Sequence, residues 1–206
     1  FLFALYPRVS AAYSYQDRSR DWQVYDYGRD MLEQPLEKNA VVVGILGEMT
    51  LLKYFQQTED MRPDIVTVAA DDEEVRRQTV GDLLSAGTPV YLTRPLPGIS
   101  EAYHLSAVGP LIRVQKRPGV VDVTPQFETN AQLTDAINLL GYSLNQVNRH
   151  GLHIVRLTLF WEVTDVVRDS YKVSARVYDD VGNLVGQTDA FPVHDAYPTI
   201  DWVTGD

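Results

Sequence analysis

The chain has 206 residues, 45% of them apolar and 22% charged, a balance that supports folded cores and excludes a disordered chain. A formal net charge of −10 disfavours non-specific attraction to nucleic acid or to anionic lipid headgroups. The absence of cysteine excludes disulfides, thiolate metal sites and a cysteine nucleophile, and leaves the cellular compartment open.

The first residues are Phe1-Leu2-Phe3-Ala4-Leu5-Tyr6, followed by Pro7-Arg8. That apolar run is far shorter than the roughly 20 residues needed to cross a bilayer, and it lacks the charged start and cleavage site of a signal peptide. Residues 1–18 therefore read as a membrane-proximal stub, the end of a transmembrane helix with Tyr6 near the interface, or else as an ordinary buried strand.

Residues 19–117 alternate helical and extended patterns. Trp22, Tyr25, Arg29 and Leu32 lie at helical spacing, and Pro35 ends that segment. Ala40 to Leu46 is a continuous apolar, β-branched run, the signature of a strand covered on both faces. A helix with Leu51, Leu52 and Phe55 on one side follows, and Ile65 to Ala69 is a second strand. Asp71-Asp72-Glu73-Glu74 suits the first turn of another helix, where acidic side chains complement the helix dipole, and Gly87 ends it. Pro89 to Thr93 is a third strand, and Leu111 to Val114 adds at one edge. The strand–helix–strand–helix–strand order predicts a small parallel three-layer α/β domain of Rossmann-like type.

Beyond Arg117-Pro118-Gly119 the pattern changes. Val155, Leu157, Leu159, Trp161 and Val163 alternate with polar residues, as do Tyr171, Val173, Ala175 and Val177, which predicts strands with one wet face. Asp180-Val181-Gly182-Asn183 has hairpin-turn chemistry, with Leu184 to Thr188 as the returning strand. Residues 118–206 are thus expected to form an antiparallel β-sandwich. The stretch from Tyr197 to Asp206 reads as a loop leading into a strand that is missing, so the sandwich is either incomplete or continued elsewhere.

Few residues carry chemistry by their spacing. Gly44-Ile45-Leu46-Gly47-Glu48 sits between strand and helix, where α/β folds place ligands, yet it has neither the three glycines of a dinucleotide fingerprint nor a phosphate-loop ending. Glu48 is kept as a ligand candidate beside its plainer role in a helix N-terminus. His150 and His153 have metal-pair spacing but no third ligand nearby, and Asp179-Asp180 only faintly matches a calcium loop, so no metal and no cofactor are expected. No serine lies in a Gly-x-Ser-x-Gly elbow. Trp161 and Trp202 are candidate platforms for sugar rings, although Trp161 shares its face with Leu157 and Leu159 and suits a core better, which leaves Trp202 the better candidate.

Several runs carry a family resemblance. In the first half these are Tyr25-Asp26-Tyr27-Gly28-Arg29-Asp30-Met31-Leu32, Asn39-Ala40-Val41-Val42-Val43, and the segment from Lys53-Tyr54-Phe55-Gln56 through Arg62-Pro63-Asp64-Ile65. In the second half they are Leu157-Thr158-Leu159-Phe160-Trp161 and the segment from Asp189-Ala190-Phe191-Pro192 through Tyr197-Pro198-Thr199 to Trp202. Together they resemble the C-terminal extracytoplasmic region of bacterial multi-pass membrane proteins of the protein O-mannosyltransferase-like glycosyltransferase type, including the family called DUF2723. The resemblance implies a parent enzyme that moves a sugar from a polyprenyl-phosphate donor outside the cytoplasmic membrane. The catalytic acid of that family lies between early membrane helices, so no catalytic residue carries over and this region alone is expected to be inactive. Its expected partners are the parent's transmembrane domain and a glycan or glycosylation acceptor. A free-standing carbohydrate-binding or adhesive module is the rival reading, and a hydrolase with an unrecognised site is a third.

Overall fold

The computed structural model describes residues 21–118 and 124–205, so the expected stub at residues 1–18 lies outside the described residues. The apolar run predicted as a covered strand becomes β1 (Val41–Gly44), flanked in parallel by β2 (Val66–Ala69) and β3 (Val90–Leu92). Alternation along these strands sends side chains to two cores. Val42 and Tyr91 face Met31 and Leu32 of helix α1 (Gln23–Leu32) and Met49, Leu52 and Phe55 of helix α2 (Leu46–Thr58). Val41, Val43, Val90 and Leu92 face Val80 and Leu84 of helix α3 (Glu73–Ser85). Burying each such aliphatic side chain is worth about 1.5–3 kcal/mol, so β1 is anchored from both sides. The acidic run predicted to open α3 does so, with the Asp72 carboxylate accepting from the backbone N–H of Glu74 at 2.9 Å and of Val75 at 3.0 Å.

The predicted fold class, a parallel three-layer Rossmann-like domain followed by an antiparallel β-sandwich, is corrected by the topology. The first sheet is mixed, in the order β2-β1-β3-β5-β4, because β4 (His104–Val108) and β5 (Leu111–Gln115) form a hairpin whose second arm pairs antiparallel with β3. A two-residue turn at Gly109-Pro110, with Gly109 at φ 57°, permits only antiparallel arms, and so parallel order ends at β3. The second half forms no sandwich. It makes one three-stranded antiparallel sheet of β6 (Phe127–Gln132), β7 (Ile137–Arg149) and β8 (Leu152–Val163), and a separate two-stranded sheet of β9 (Val173–Tyr178) and β10 (Leu184–Ala190). A sandwich needs two apolar faces of similar size. On β9–β10, Val173, Ala175 and Val177 stand opposite Ala190, Thr188 and Gly186, too small a face to cover the neighbouring sheet. Val155 stays 54% exposed and Leu157 39%, although their alternation had marked them for a covered face. Sheet thus dominates, with ten strands against three α-helices among the described residues.

The second half packs on the first. Ala136, Ile137, Val163, Val167, Val193, Tyr197 and Trp202 join Val41, Val43 and Leu92 in one continuous cluster, so a hydrophobic core crosses the change of pattern near residue 118. The β7–β8 hairpin also reaches back to α1. His150-Gly151, both at positive φ (54° and 75°), form the tight turn that positive-φ hairpin loops require. Beside that turn Arg149 pairs with Asp30 and Glu33, each at 2.7 Å, and Arg156 contacts the same two carboxylates. His150 stacks on Trp22 with centroids 4.0 Å apart and meets Asp26 at 2.9 Å. No helix among the described residues is long and apolar enough to cross a membrane.

Candidate functional site

A cleft of about 760 Å3 opens where β1 and β3 end, bounded by α1, by Thr93-Arg94-Pro95 and by residues Val193 to Ala196. Its floor depends on Gly44. A Cβ there would stand 2.1 Å from Thr93 Oγ1 and 2.9 Å from Glu48 Oε2, so only glycine lets these two side chains meet behind the strand end. Thr93 Oγ1 donates to Glu48 Oε2 at 2.5 Å, and Arg94 Nε donates to Glu48 Oε1 at 2.9 Å. Glu48 Oε2 also accepts from the N–H of Ile45 at 3.4 Å, at the start of α2. The candidate Glu48 is therefore a brace that holds Arg94 at the cleft, and its carboxylate is occupied.

Gln23, Tyr27, His194 and Asp195 supply further polar groups. Burial in the cleft wall, with Glu48 nearby, pushes the Tyr27 phenol up to about 12, so it is a neutral donor. The His194 ring stands edge-on to Tyr27, with centroids 5.6 Å apart. Val193, His194 and Asp195 follow one another at φ 52°, 50° and 67°, all in the left-handed region. A β-branched residue there is an outlier, at about 1–3 kcal/mol per residue, and such strain gathers at ligand clamps and active sites. Burial of Val193 in the shared core holds the turn and turns His194 and Asp195 toward the cleft. Asp26 and Asp30 also line the cleft, but the hairpin's Arg149, His150 and Arg156 occupy them.

The other two candidates come together elsewhere. Trp161 and Trp202 line a second pocket of about 280 Å3, their ring centroids 6.3 Å apart. Trp202 is only 6% exposed and its indole N–H donates to the Tyr197 carbonyl at 3.1 Å, so it is both core residue and pocket wall. Trp161 packs against the same cluster. Tyr171, Lys172 and Thr134 stand at this pocket as well.

His150 and His153 make no metal site, and no group of three or more metal-ligating side chains exists among the described residues. Asp179 closes the β9–β10 turn, accepting from the N–H of Val181 at 3.1 Å and of Asn183 at 2.7 Å, which accounts for the acidic pair without an ion. Tyr27, Arg94, His194 and Asp195 were not legible as a site. They come from three distant segments, and the only local signal is Pro192 ahead of a polar pair. No family model, no curated protein and no solved structure matches the chain.

Proposed function

We propose that this chain is a non-catalytic accessory region of a membrane glycosyltransferase-like protein, held on the extracytoplasmic side, where it positions a glycan or glycosylation acceptor. The observation that carries this reading is the division of labour in the cleft. Its carboxylates at Asp26, Asp30 and Glu48 are committed to ion pairs, while Tyr27, His194, Asp195 and the outer nitrogens of Arg94 face a wide opening. Donors and acceptors together around an open cleft suit a polyhydroxylated ligand. The sequence resemblance supplies the membrane context.

Glycan-array binding with the purified chain tests the proposal. Retention of a neutral oligosaccharide, weakened at least about tenfold by Arg94→Ala and by Asp195→Ala, is the expected result. Turnover of any retained glycan overturns the non-catalytic role, and retention of none overturns the glycan role. Fractionation of the native producing cells decides the context, with recovery in the soluble fraction favouring a free-standing carbohydrate-binding module.

A further inference from the structure

The pocket at Trp161 and Trp202 shares no lining residue with the cleft. Its walls are mainly apolar and aromatic, and among the described residues the only charged one lining it is Lys172. Thr134 and Lys172 supply donors there. Thr134 Oγ1 accepts from the N–H of Ala136 at 3.2 Å and of Ile137 at 3.0 Å, which leaves its own O–H to donate. Thr199 Oγ1 accepts from Tyr171 N–H and donates to the Asp169 carbonyl, and Trp202 Nε1 is spent on Tyr197, so neither offers a vacant acceptor. Lys172 makes no close ion pair among the described residues, although its charge reaches the exposed Asp189 carboxylate; its ammonium rests 5.5 Å from the Phe191 ring centroid, a contact that an anion displaces at small cost. At about 280 Å3 the pocket lies just below the range of about 300–1,000 Å3 of small-molecule sites, so it takes one ring and not a chain.

An occupant must therefore be ring-sized, present an apolar face to indole, and carry acceptors and a negative charge. We propose that this pocket binds a single acidic pyranose, its ring against Trp161 and Trp202 and its carboxylate on Lys172. A neutral sugar lacks the charge that Lys172 would pair with, whereas the cleft, with Asp195, has the acceptor that a neutral sugar needs. The two sites thus divide acidic from neutral units of a glycan. This inference takes its ligand class from the proposed function but stands on a separate set of residues.

Titration of the full chain with methyl glucuronide, methyl glucoside and benzoate, read from the three indole N–H resonances, tests it. Glucuronide is expected to shift Trp161 and Trp202 and to leave Trp22 in place, with glucoside binding at least about tenfold more weakly. Lys172→Met should weaken glucuronide binding about ten- to a hundredfold without changing the glucoside, and Lys172→Arg should restore most of it. Arg94→Ala and Asp195→Ala should leave glucuronide binding intact, so failure of the cleft and failure of this pocket are separable. Equal affinity for glucoside, indifference to Lys172→Met, benzoate binding as tightly as glucuronide, or no shift at either indole overturns the assignment.

Discussion

Replacing Arg149 with methionine removes the guanidinium that ties the β7–β8 hairpin to α1. The Arg149 side chain is 9% exposed and lies 2.7 Å from both Asp30 and Glu33 and 3.3 Å from Asp26. Breaking a buried pair by removing one partner costs about 3–5 kcal/mol, because the other charge is left uncompensated. Two features lower that figure here. Asp30 and Glu33 are 33% and 20% exposed and keep Arg156. Arg149 Nε is itself buried without a hydrogen-bond partner, so about 1 kcal/mol of desolvation is recovered on its removal. Arg149→Met should thus cost about 2 kcal/mol. Arg156, 28% exposed, belongs with surface ion pairs, and Arg156→Met should cost about 1 kcal/mol or less. Urea denaturation followed by far-ultraviolet circular dichroism measures both, and an Arg149→Met/Asp30→Asn cycle should return a coupling of about 1 kcal/mol. Hydrogen exchange in Arg149→Met should show β7 and β8 amides losing protection before those of β1. A variant as stable as the parent, or an Arg156 variant costlier than the Arg149 one, refutes the latch.

Gly44→Ala should destabilise by about 1–3 kcal/mol, since its methyl meets Thr93 Oγ1, and Thr93→Ala in the same chain should recover part of the loss in a denaturant titration. Acid should weaken the fold through Asp64 and Glu33. The bonds from Arg62 hold the Asp64 carboxyl well below the usual range. For Glu33, burial pushes upward, but the bond from Arg156 and the charges of Arg149 and Arg156 outweigh it. Both native pKa values are depressed, so their stabilisation is intact above about pH 4.5 and is lost as pH falls through the native values. Asp64→Asn should flatten the stability-against-pH curve below pH 4.5 and leave its slope near neutrality unchanged. Tyr27→Phe should remove one phenol that ionises near pH 12 from an ultraviolet difference titration, and loss of a phenol titrating near pH 10 would mean that Tyr27 is not buried.

Local rules made much of the first half readable. A run of β-branched apolar residues specifies a strand covered on both faces, and Asp72 specifies a helix start, because each depends on neighbours a few residues away. The strand β4 was missed although its register is regular, whereas β6 and β7 were missed where the period is broken. β7 changes register between Leu139 and Gly141, and β6 between Glu128 and Ala131, so bulges erase the alternation that marks a strand.

By itself, then, the sequence determined the three helices, the covered strand β1 and the turn at residues 180–183. Only the tertiary structure decided that β5 pairs antiparallel with β3, that the apolar row of β8 is open at Val155 and Leu157 but closed at Val163, and that Arg149 grips α1. It alone gathered Tyr27, Arg94 and Asp195 around one cleft. The physical reason is range. Propensity, capping and turn chemistry act over a few residues, whereas strand partners and cleft walls are chosen by how much apolar surface distant segments bury together.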